Sequence, residues 1–185
     1  MSAKLMVRLT GLTYLMIFVV APSGAQTATP LRMALTLLFD VCVALLLYTL
    51  LRPVNRTVSL LAAVFRLLFV LMMGITALNY FGITHLFQPS RAANAFNAGY
   101  GWSLVPFGAH CVLVGWLVWE SKFLPKTLGI LMALAGAAYL MFLSPQTGAR
   151  LFFPWLAICG VVGEGSLTLW FLFLGIKQSQ RTETA

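Results

Sequence analysis

Charge is what this sequence has least of: four acidic and twelve basic residues make up 9% of 185 positions, against about a quarter in soluble domains. Such scarcity excludes a water-exposed surface of ordinary size. Cysteine is sparse as well. Cys42, Cys111 and Cys159 are odd in number, lie in apolar runs and lack metal or redox spacing, so they read as buried free thiols. The sequence has no nucleophile elbow, Gly-rich phosphate loop, zinc-protease helix motif or Ser-Lys motif, so no common hydrolase, nucleotide or metal chemistry is written in it. The cations stand singly or in pairs at the ends of apolar runs. The net charge of +8 therefore reports topology rather than a nucleic-acid surface.

What is abundant is apolar: hydrophobic residues are 61% of the chain and are gathered into long runs. Residues 33–51, 57–81, 98–119, 124–143 and 151–176 each suffice to cross a bilayer as a helix. A shorter run at 9–21 follows Lys4 and Arg8; it fits either a sixth span or a signal peptide cleaved near Ser23-Gly24-Ala25. Six spans would put Lys4, Arg8, Arg52, Arg56, Lys122, Lys126, Lys177 and Arg181 on one side and only Arg32, Arg91 and Arg150 on the other. The positive-inside rule then makes the crowded side cytoplasmic. The expectation is an all-α integral membrane protein, a single transmembrane domain over 1–185 forming a six-helix bundle with both termini in the cytoplasm. Its first partner is the lipid bilayer.

Asp40, Arg66, His110 and Glu164 lie well inside spans, where Asp or Arg costs about 2.5 to 3.5 kcal/mol even on the lenient insertion scale. Counted from the cytoplasmic span ends, all four fall within a layer roughly 5 Å thick. Asp40 and Arg66 sit on consecutive antiparallel spans joined by a short turn, so an ion pair between them is expected. That leaves Glu164 uncompensated unless it is protonated, pairs with protonated His110 or holds a cation. His110 and Glu164 are therefore expected to face one another as a proton- or ligand-responsive site, with the Asp40 and Arg66 pair as its wall. Small residues at Gly129, Ala133 and Ala137 mark the fifth span as a packing helix, and Ala157, Gly160, Glu164 and Thr168 should face the bundle. No metal or other cofactor is expected, since one His and two carboxylates on separate helices make a weak ligand set.

Five segments carry a resemblance: residues 8–15 (RLTGLTYL), 50–57 (LLRPVNRT), 107–111 (FGAHC), 123–125 (FLP) and Gly163-Glu164. In these the chain resembles the bacterial membrane family known as domain of unknown function 4386. The likeness covers nearly the whole chain and implies a retained first helix and a location in the bacterial inner membrane. The outer segment at 22–30 is shorter than the family's usual one, and the family has no assigned activity. Two functional classes stay open. A small-solute or proton-coupled carrier or binding protein would use the titratable midplane residues, with a homo-oligomer to complete a pathway. A non-catalytic structural or partner-binding protein would use them only to fix helix packing. An intramembrane enzyme ranks third.

Overall fold

A computed structural model of the protein describes residues 3–84 and 93–175. Among these residues the regular structure is entirely helical: α1 (Ala3–Val20), α2 (Pro30–Leu51), α3 (Arg56–Tyr80), α4 (Ala93–Glu120), α5 (Lys126–Leu140), α6 (Pro145–Leu151) and α7 (Ala157–Leu169). Five helices, Pro30–Leu51, Arg56–Tyr80, Ala95–Glu120, Lys126–Leu143 and Pro154–Leu174, are long and apolar enough to cross a membrane. The chain is thus a helical membrane protein. Arg91, Ile176, Lys177 and Arg181, used above for span ends and charge counting, lie outside the described residues.

Local chemistry sets the helix ends. The Thr29 hydroxyl accepts from the Arg32 N–H and Pro30 occupies the first turn of α2, while the Asn55 side-chain oxygen Oδ1 accepts from the Val58 N–H to start α3. All but the last residue of the apolar run at 9–21 lies in the longer helix α1, whose 18 residues extend about 27 Å. The helix begins before the apolar run because Lys4 and Arg8 are exposed at its start and need not enter hydrocarbon. Helix also precedes the final span, as the chain is helical from Pro145 onward while the span itself begins at Pro154. Pro154 has no N–H to give to the carbonyl four residues back, and the turn Phe152–Leu156 widens to a π-helix there.

The long helices pack in chain order, α1 on α2, α2 on α3, α3 on α4, α4 on α5 and α5 on α7, and the last helix returns against α1 to close the ring. Arg32 fastens one joint: its Nε donates to the Val20 carbonyl at 3.0 Å and its Nη2 to that of Ala21 at 3.2 Å, covering carbonyls left open at the end of α1. Val7, Thr10 and Tyr14 of α1 are fully buried, so α1 belongs to the packed bundle. The three thiols are free, but only Cys111 is buried; Cys159 is exposed on α7 and Cys42 is half-buried.

The closest approach is between α4 and α5. A methyl on Gly136 would stand 2.6 Å from the Gly108 carbonyl oxygen and 2.7 Å from the Val112 nitrogen, and one on Gly129 would stand 2.6 Å from the Gly115 oxygen. The packing stripe of α5 is therefore Gly129, Ala133 and Gly136, not Ala137, which is exposed. The stripe steps by three residues at its upper end because the backbones, not the side chains, are in contact. Gly136→Ala should cost about 1 to 3 kcal/mol by forcing the helices apart. Gly165→Ala, with nothing within 4 Å of the added methyl, should be neutral or stabilising. Melting temperatures in one detergent would check the pair, and equal effects would refute the contact.

Candidate functional site

Among the buried polar and ionisable side chains, six build the site: Tyr14 from α1, Asp40 from α2, Arg66 from α3, His110 from α4, Tyr139 from α5 and Glu164 from α7. None is more than 8% exposed, and Arg66 is the largest fully buried side chain.

Arg66 is the hub. Its Nε donates to Asp40 Oδ1 at 3.0 Å and its Nη2 donates to the same oxygen, closing the buried ion pair. Its Nη1 donates to the Tyr14 hydroxyl at 2.7 Å and to His110 Nε2 at 3.1 Å. Four of the five guanidinium N–H donors are thus engaged. Two rings also lie close to the guanidinium, with Cζ 4.7 Å from the Tyr14 centroid and 5.1 Å from that of Phe107. A buried guanidinium is tolerable only with such a full set of partners.

His110 is committed to this hub. Its Nδ1 lies 2.8 Å from the Ala62 carbonyl oxygen, which can only accept, and its Nε2 meets a guanidinium, which can only donate. The partners fix the neutral tautomer with the proton on Nδ1. A second ring proton would set two N–H groups against each other.

Glu164 stands apart. Its Oε1 accepts from the Tyr139 hydroxyl at 2.9 Å, and no hydrogen bond or ion pair joins it to His110 or Arg66 among the described residues. Gly160 makes the contact with Tyr139 possible, because a methyl there would collide with the Tyr139 hydroxyl. From Arg66 to Glu164 the contacts run through two rings. Phe107 packs edge-on against Tyr139 at 5.4 Å and stacks on His110 at 5.7 Å. The centre is therefore a four-residue knot around Arg66 and a carboxyl–phenol pair, separated by Phe107.

The structure thus brings Asp40, Arg66 and His110 together and leaves Glu164 on its own partner. Sequence reasoning missed Tyr14, Tyr139 and Phe107. A signal for Tyr14 existed, since it lies inside its run, whereas interfacial tyrosines sit at span ends. Tyr139 gave none, because it lies one residue from the end of α5 and reaches inward only as helical side chains lean toward their N-terminus.

The profile of the family described as "Domain of unknown function (DUF4386)" matches residues 24–175. An "Uncharacterized protein" of Archaeoglobus fulgidus is 28% identical over 150 residues, covering 81% of this chain and 85% of its own. No solved structure matches.

Proposed function

The chain belongs to the DUF4386 family, and from that premise and the geometry of the centre we propose that it is a six-span, proton-coupled carrier or binding protein for a small solute. In this reading both termini are cytoplasmic and a homo-oligomer completes the pathway. Glu164 with Tyr139 is the responsive element, and Asp40, Arg66 and His110 form the fixed wall beside it.

The observation that carries the reading is a charge count. Around the one guanidinium lie two carboxyls, Asp40 and Glu164, while His110 is held neutral by its partners. Two ionised carboxylates would leave one negative charge in hydrocarbon. A bound metal cation needs several oxygen ligands, and among the described residues the Glu164 carboxylate has one side-chain hydrogen-bond partner, the Tyr139 hydroxyl. A proton is the simplest compensation.

The second reading, a structural membrane protein, draws support from the near-complete pairing and burial of the Arg66 knot. Infrared difference spectra of the reconstituted protein separate the two. If Glu164 exchanges a proton, stepping the pH should produce a carboxyl C=O band that disappears in Glu164→Gln and shifts in Tyr139→Phe, which removes its hydrogen bond. A spectrum unchanged by Glu164→Gln would reject the proton-coupled reading and leave the structural one.

A further inference from the structure

At one end of the bundle the α2–α3 turn meets the α4–α5 turn around a cleft of about 220 Å3, lined by Pro53, Val54, Trp116, Glu120, Lys122 and Phe123. Glu120 is an unusual residue to find there. The chain has four acids; two are in the centre and Glu183 lies outside the described residues. Glu120 is the last residue of α4, where the helix dipole disfavours negative charge. It is exposed, as is Lys122, and neither is within ion-pair distance of the other. The cleft thus offers an acid and a base two residues apart, beside a half-open Trp116, at the end of apolar helices where lipid headgroups lie.

We infer that this cleft binds a phospholipid with a zwitterionic, primary-amine headgroup of the phosphoethanolamine type. The ammonium donates to the Glu120 carboxylate, and so reverses the unfavourable sign of the acid at that helix end. The phosphate meets Lys122, and Trp116 packs along the glycerol and first methylenes. A choline headgroup has the same charges but no N–H to donate. A glycerol headgroup has the phosphate without the amine. This inference does not depend on Glu164 or on the carrier reading.

The test is native mass spectrometry of the full chain released from vesicles holding equal amounts of phosphatidylethanolamine, phosphatidylcholine and phosphatidylglycerol. The ethanolamine lipid should be retained preferentially. That retention should fall about five- to tenfold in Glu120→Gln, the loss expected for one charge-assisted hydrogen bond at a partly open site, and similarly in Lys122→Ala. Both positions are exposed, so melting temperatures should stay at the wild-type value. Equal retention of the three lipids would overturn the inference. So would a preference for the glycerol lipid that strengthens in Glu120→Gln, which would mark an anion site. Soluble glycerophosphoethanolamine competing as well as the lipid would overturn the assignment to a membrane lipid.

Discussion

Arg66→Met should destabilise the protein by about 3 to 5 kcal/mol, the usual cost of leaving a buried carboxylate without its cation. The double variant Asp40→Asn with Arg66→Met should recover much of that loss, because two neutral side chains need no counter-charge. Tyr14 and His110 make the loss larger than a simple pair would, since each gives Arg66 an acceptor that would be left without its donor. Arg66→Lys tests the geometry apart from the charge. An ammonium is a point donor and cannot span Asp40, Tyr14 and His110 as the planar guanidinium does, so Lys should restore only part of the stability. Thermal unfolding of the four variants in one detergent gives the coupling energy. Strict additivity of Asp40→Asn and Arg66→Met would refute the pair as a stabilising unit.

This pair was legible in the sequence because nothing long-range was needed. Asp40 and Arg66 lie on neighbouring antiparallel spans joined by a turn of only four residues, 52–55, and a charge in hydrocarbon demands its opposite. The helices were legible for the same reason, since apolar length answers to bilayer thickness. Contact between His110 and Glu164 was not legible, because equal Cα depth does not mean equal side-chain position. The helices that carry them, α4 and α7, are not packed side by side but have α5 between them, so each of these residues found a partner chosen by helix order. His110 on α4 meets α3, and Glu164 on α7 meets α5. Ring order is a packing outcome, set here by glycines that let α4 and α5 touch backbone to backbone. A polar residue's partner depends on that order before it depends on depth.

Phe107→Ala should cost about 3 to 5 kcal/mol, the range for emptying a buried aromatic site, and more than any lipid-facing aromatic. Its ring is 5% exposed and touches Phe69 at 4.8 Å as well as Arg66, His110 and Tyr139. The contacts differ in kind, and so should the substitutions. Phe107→Leu keeps much of the apolar volume but loses the ring face under the guanidinium, so the difference between Leu and wild type reads the cation–π contribution, about 2 kcal/mol where both groups are desolvated. The further drop from Leu to Ala reads the cavity. Phe173→Ala is the control, because that ring is 78% exposed and its removal empties no packed space. If Phe107→Ala melts no lower than Phe173→Ala, the ring is not a packed partition between Arg66 and the Tyr139–Glu164 pair. If Phe107→Leu matches wild type while Ala does not, the ring only fills space, and the neighbouring guanidinium is held by its hydrogen bonds alone.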